Sequence, residues 1–233
     1  MSNPLAPKWL RSSAEANALS PALWPAGITR TAAGELSVQG IPASTLVADY
    51  GSPLYVLDLD DVRRRAVWIR DAMADAFDAP GRHTRVYYAT KALLAGDVLQ
   101  VMRSEGLGCD VSSAGEWTAA VRAGVDPHLI EYQGNNKSEP ELQHAIDSRV
   151  GTIVIDSAQE VSRVAAIARR VGARQAVMIR VNTGVHAGTH EYLATAREDQ
   201  KFGIARADIQ GVADQIRNEE SLSLIGLHSH IGS

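Results

Sequence analysis

Lys91 follows the strand-like run Val86-Tyr-Tyr-Ala-Thr90, so its amine stands at the carboxyl end of an extended segment. In a β/α architecture that end opens into the mouth of the fold. Partial desolvation there lowers an amine's pKa and exposes a nucleophile. A lysine snorkelling from a strand end is the plain alternative. A second cluster, His228-Ser-His230-Ile-Gly-Ser233, closes another apolar run. Strand alternation puts His228 and His230 on one side. Such a pair could ligate a metal. Alternatively, one ring could stack on a flat cofactor while the Gly-Ser amides and hydroxyl take a phosphate. Two packed core histidines would need neither.

Other strand ends carry chemistry as well. Arg180 ends the apolar run Met178-Ile-Arg-Val-Asn182, and an arginine there needs an anionic or acceptor partner. Asp110 and Asp156 end two further runs, where either could instead cap a helix. Gly134-Asn-Asn-Lys137 has the composition of a turn. Cys109 has no assignable base and reads as a small core residue. Polar, chemically capable residues thus recur at the same end of five strand candidates. Independent packing accidents would not favour one end each time.

The elements that must position them alternate. Candidate strands are 86–89, 107–111, 129–132, 152–155, 177–181 and 222–228, preceded by short strands at 36–39 and 54–58 around a helix near Ser44. Asp60 is placed to cap the next helix, with Val62, Ala66, Val67, Ile69 and Met73 at roughly helical spacing. Ser113, Ser138 and Ser157 each begin a Ser-x-x-Glu capping box, ending at Glu116, Glu141 and Glu160. After Ser157, the residues Val161, Val164, Ala165, Ala168 and Val171 share one helical face.

Strands and helices at this pitch imply parallel pairing through right-handed crossovers. A barrel and an open doubly wound sheet both fit. The steady pitch, with no Gly-x-Gly-x-x-Gly turn after the first strand, favours an α/β barrel. An insertion at about 182–203, holding His186, His190, Lys201 and Gly203, follows the fifth of these strands. Residues 1–35 are rich in Pro and Ala and are expected to form a loosely docked extended segment, with the barrel spanning 36–233. Only six barrel strands precede Ser233, so an eight-stranded barrel would be incomplete, with exposed edges.

Composition narrows the partners. A net charge of -4, without basic runs, leaves no electrostatic footprint for nucleic acid or anionic membranes. One cysteine permits no internal disulfide, and no signal segment or membrane-length apolar run is present, so a cytoplasmic setting is expected.

At Tyr87-Tyr-Ala-Thr-Lys-Ala92 the sequence resembles the Tyr-Ala-x-Lys-Ala motif of the alanine-racemase-fold, pyridoxal-phosphate-dependent amino-acid decarboxylases. Asp110-Val-Ser-Ser-Ala-Gly-Glu116, Gly134-Asn-Asn-Lys-Ser138, Glu198-Asp-Gln-Lys-Phe-Gly203 and His228-Ser-His-Ile-Gly-Ser233 are similar to four more motifs, in the family's order. The likeness runs from about residue 45 to the end. Thr189-His-Glu-Tyr-Leu-Ala-Thr195 and the Pro- and Trp-bearing amino-terminal segment resemble the diaminopimelate decarboxylases, their actinobacterial members in particular.

That resemblance implies a (β/α)8 barrel binding pyridoxal 5'-phosphate, no metal, and conversion of meso-2,6-diaminopimelate to L-lysine and carbon dioxide. It makes Lys91 the Schiff-base lysine and His230 the ring stacked on the cofactor. Ser233 would contact the phosphate, Asp110 and Arg180 would support the Schiff base and ring, and Asn136 would line the pocket. The family's later Gly-rich segment, its Glu for the pyridine nitrogen, its Cys and Tyr and its carboxyl-terminal β domain are not among these residues. Residues 1–233 alone are therefore expected to have little activity, and a homodimer is expected of the full-length enzyme. The alternatives are an ornithine- or arginine-type decarboxylase, a non-catalytic cofactor-binding protein, and a metal-dependent barrel hydrolase using His228 and His230.

Overall fold

The computed structural model describes residues 17–183 and 202–230. Up to Arg64 the described chain forms one compact unit, and from Arg65 a second. The first is a small antiparallel sheet, β1 (Ile28–Arg30), β2 (Leu36–Val38) and β3 (Ile41–Pro42), followed by α1 (Ala43–Tyr50). β1 lies inside the segment expected to be loosely docked. It pairs Ile28 with Val38 and Arg30 with Leu36, and Thr29 and Ser37 share a side-chain hydrogen bond of 2.8 Å. Residues 54–58, expected as a strand, form none and pair with no strand among the described residues.

Helix α2 (Leu59–Phe77) starts earlier than expected. Asp58, not Asp60, receives its free amides: Asp58 Oδ1 accepts from Asp60 N at 3.0 Å and Asp61 N at 3.1 Å. Ala66 is buried on this helix, whereas Ile69 and Met73 are exposed.

The second unit carries the barrel strands β4 (Tyr87–Ala89), β5 (Gly108–Val111), β6 (Ile130–Tyr132), β7 (Thr152–Ile155), β8 (Gln175–Asn182) and β10 (Leu222–Ser229). Each pairs in parallel with the next, in chain order. The short β9 (Ile204–Ala205) adds to the last two residues of β8, beyond the point where β7 stops. Helices α3 (Gly96–Ser104), α4 (Ala114–Arg122), α5 (Glu139–Asp147), α6 (Ala158–Arg170) and α7 (Ile209–Arg217) fill the crossovers. This is the β/α barrel arrangement, with six of its strands present, and β4 and β10 each have one neighbour among the described residues.

Strand alternation divides the side chains. Cys109, Val111, Ile130, Tyr132, Ile153, Ile155, Val177 and Ile179 face the helices and form the core with Leu99, Trp117, Leu142 and Ile167. The opposite set, Asp110, Glu131, Thr152, Asp156 and Arg180, turns inward, where barrels build their sites. On α6 the expected stripe Val161, Val164, Ala165 and Ala168 is buried, but Val171 is the C-cap and is exposed. Among the described residues no helix is long and apolar enough to cross a membrane.

Candidate active site

Lys91 sits on a 3-10 turn, Thr90–Ala92, directly after β4. The turn is tied on both sides. Thr90 is fully buried and its hydroxyl donates to the Asp110 carbonyl at 2.9 Å, while Tyr88 donates to the Leu93 carbonyl at 3.1 Å. The backbone of Lys91 is fixed although its side chain is exposed, a correction to the desolvation expected of it. Its amine makes no hydrogen bond or ion pair among the described residues.

Lys91, Asp110, Arg180 and His230 line one cavity of about 400 Å³, together with Ser112, Glu116, Gln133, Gly134, Asn135 and Phe202. Four of the expected site residues are thus gathered from the ends of β4, β5, β8 and β10. Asn136 is exposed, and its neighbour Asn135 lines the cavity instead. Ser233 lies outside the described residues, as do His186, His190 and Lys201.

The electrostatics of the cavity follow from burial. Asp110 stands level with Glu131 on the next strand. Burial first, and then the Glu131 carboxylate, push the Asp110 carboxyl up to about 7. Lys91 and Arg180 act the other way. One oxygen, Oδ1, has no hydrogen-bond partner among the described residues. Burial also raises Glu131, which accepts from Gln133 Nε2 at 3.0 Å. Burial, then Arg180 and Lys91, lowers His230; burial, then Arg180 and His230, lowers His228 to about 4. Both rings are therefore neutral near pH 7.

Arg180 is held on two sides. Asp156 Oδ1 lies 3.5 Å from its Nη1, and the Phe202 ring packs 5.3 Å from its guanidinium carbon, within cation–π range. Gly203, at φ +82°, would bring a Cβ to 3.0 Å from the Arg180 carbonyl, so the close approach of Phe202-Gly203 needs glycine. Elsewhere in the cavity lining, Glu116 accepts from Ser112 N at 2.6 Å and Ser112 Oγ at 3.0 Å. Its carboxylate thus serves the residue before the N-cap rather than Ser113, so the capping box expected there is only half formed. Among the described residues no group of three or more His, Cys, Asp or Glu is placed to hold a metal.

Ser112, Gln133, Asn135 and Phe202 are cavity residues that the sequence does not single out individually, and Glu116 is read there only as a capping residue. Gln133 and Glu131 carry a usable signal. They fall on the inward positions of β6 and its continuation, as Asp110 does on β5.

Residues 59–233 match the family described as pyridoxal-dependent decarboxylase, pyridoxal binding domain. The chain belongs to that family. It is 42% identical to the diaminopimelate decarboxylase of Mycobacterium tuberculosis over 217 residues, 92% of this chain and 47% of the relative. It is 37% identical to that of Bacillus subtilis over 202 residues, 86% of this chain and 45% of the relative. The solved diaminopimelate decarboxylase of M. jannaschii superposes with a TM-score of 0.79 at 25% identity, covering 90% of this chain and 48% of that one. The Helicobacter pylori enzyme, complexed with L-lysine, gives 0.75 at 27% identity, covering 82% of this chain and 47% of that one. The chain spans about half the length of the curated relatives it matches.

The cofactor class is therefore pyridoxal phosphate, and the residues present suit it. Among the described residues, an amine without a partner, a neutral imidazole, a buried carboxyl oxygen without a hydrogen bond and an immobilised guanidinium meet in one cavity. Its volume lies within the range of small-molecule sites.

Proposed function

We propose that this chain is the cofactor-binding part of a diaminopimelate decarboxylase, which converts meso-2,6-diaminopimelate to L-lysine and carbon dioxide. The observation that carries the reading is the convergence of Lys91, Asp110, Arg180 and His230 on one cavity at the carboxyl ends of the barrel strands. The relatives at 42% and 37% identity bear that name, and the H. pylori neighbour is one complexed with L-lysine.

When bound, pyridoxal phosphate supplies an electron sink for the pair released as carbon dioxide leaves. The chain's residues bind and orient. Lys91 would be the covalent anchor of the cofactor, and its Nζ would be the group placed to hold or move a proton in this cavity. His230, uncharged, offers a flat ring face without repelling a cationic partner. Arg180, held by Asp156 and Phe202, fixes one side of the cavity and presents a permanent charge. Asp110 titrates close to neutral pH, so its carboxyl can hold a proton beside Lys91 or give it up. Alignment of the scissile bond is the larger part of the catalytic task. The same reading gives Ser233 a place at the cofactor phosphate and assigns the working enzyme a homodimer. It also gives residues 1–233 alone little turnover.

The test is borohydride reduction of the protein after incubation with pyridoxal phosphate, followed by peptide mass spectrometry. A cofactor fixed to the peptide containing Lys91, absent in Lys91→Ala, supports the reading. Labelling elsewhere, or none, overturns it.

A further inference from the structure

Lys137 is a lysine that the cavity does not contain. It is 2% exposed, although a lysine is among the costliest residues to bury. All three of its ammonium donors are used. Nζ donates to the Gly134 carbonyl at 2.6 Å, to the Val154 carbonyl at 2.8 Å, and to Glu160 Oε1 at 2.9 Å. Burial lowers its pKa and Glu160 opposes that shift, so the cation depends on its partner.

The three acceptors belong to three different segments: the loop after β6, the end of β7, and the first turn of α6. Glu160 extends the connection. It is itself 2% exposed, and its second oxygen accepts from the Asp156 amide at 2.9 Å. Asp156 in turn carries the carboxylate that faces Arg180. On the other side, Gly134 lies between Gln133 and Asn135, and all three line the cavity. Gly134 has φ +111°, and its Cβ would meet the Ser112 carbonyl at 3.2 Å, so the loop runs close against β5's end. One buried ammonium therefore joins two walls of the cavity, the 133–135 loop and, through Glu160 and Asp156, the Arg180 guanidinium.

We propose that Lys137 is a positioning residue whose buried ion pair with Glu160 sets the separation of those two walls and thereby the fit of the cavity to its ligand. It touches neither cofactor nor substrate. Its effect is exerted through Gly134 and through Asp156. The proposal rests on the reading of the cavity as a pyridoxal phosphate site only for its affinity measurement.

The test uses the full natural protein, with any sequence that continues its frame. Lys137→Met alone leaves Glu160 charged and buried, so a loss of fold would say little. The double variant Lys137→Met with Glu160→Gln removes both charges at near-constant volume and is expected to melt closer to the parent than Lys137→Met does, short of it by the donors lost to the Gly134 and Val154 carbonyls. If positioning is the role, pyridoxal phosphate then binds the folded double variant roughly tenfold or more weakly. Hydrogen exchange of amides 133–136 and 180–182 quickens while that of α4 and α5 does not. Should the double variant fail to fold, Glu160→Gln, which keeps the shape of the pair, is expected to give the same local exchange change at smaller amplitude. An affinity within about twofold of the parent, together with unchanged exchange at both walls, would overturn the proposal. A parent protein that binds no pyridoxal phosphate overturns the cofactor reading instead, and the exchange data then decide the positioning role alone.

Discussion

Arg180 Nη1 lies 3.5 Å from Asp156 Oδ1, a contact between the end of β8 and the end of β7 in which both side chains are largely withdrawn from water. The guanidinium is also covered by Phe202 at 5.3 Å. A carboxylate, a cation and an aromatic face therefore fix one cavity wall. Arginine suits this place because its planar fork can face a carboxylate and an aromatic ring together, which an ammonium cannot.

Arg180→Met is expected to cost about 3 kcal/mol of stability, because Asp156 is left charged and buried. Arg180→Lys keeps a charge for Asp156 and gives up the stack on Phe202, worth about 0.5–1 kcal/mol. Urea unfolding of the two variants checks the order. Equal losses would mean that the aromatic contact, and not the ion pair, holds the wall.

Gly203→Ala combines a φ of +82° with a Cβ placed 3.0 Å from the Arg180 carbonyl. The expected cost is about 1–3 kcal/mol. The strain falls beside Arg180, so the substitution should also weaken cofactor binding. Gly172→Ala, at φ +67° with nothing near its Cβ, is the control, and its cost should be backbone strain alone. A Gly203→Ala protein no less stable than Gly172→Ala would contradict the close approach.

Much of this was legible in the sequence because strand alternation and fold class are encoded locally. The six barrel strands, the gathering of strand-end residues and the stripe on α6 all follow from period and pitch. What was not legible depends on partners far along the chain. Residues 54–58 have the composition of a strand but pair with none among the described residues, whereas the short β1 pairs with β2. Asp58 displaces Asp60 as the cap of α2, a choice that the local path of the backbone decides. Lys137 has the look of a turn residue, because its three acceptors come from positions 134, 154 and 160 and only the fold brings them together. Asn135 and Asn136 are chemically identical, and the loop's path alone selects the former for the cavity.

The three Ser-x-x-Glu sequences separate in the same way, and the difference is measurable. Ser138 and Glu141 form the complete reciprocal box. Ser157 makes no side-chain cap bond: the Glu160 amide donates to the Ser157 carbonyl at 3.1 Å, and the Glu160 carboxylate takes Asp156 N and Lys137 instead of closing a box. Ser138→Ala should therefore cost about 1 kcal/mol, and Ser157→Ala at most a few tenths. Matching losses in thermal unfolding would show that the sequence pattern, rather than the observed bonds, sets the capping energy.

The inward carboxyls predict how stability varies with pH in the cofactor-free protein. Asp110 is raised from 3.8 to about 7 by burial and by Glu131, so the folded state holds its proton where the unfolded chain has lost it. That contribution favours folding at low pH and is lost as pH climbs from 3.8 to about 7. Glu131 shifts in the same direction. His228 works oppositely. Lowered from 6.5 to about 4, it stays neutral in the folded state while the unfolded chain protonates, so stability falls as pH drops through that window. In the parent protein the two slopes oppose each other between about 4 and 6.5. Asp110→Asn removes one of them. The variant should gain stability relative to the parent near pH 7, and should show a steeper loss on acidification, carried by His228 and His230. Unfolding midpoints of both proteins across this range provide the check. Parallel curves would mean that Asp110 titrates as an ordinary carboxylate and does not hold a proton beside Lys91.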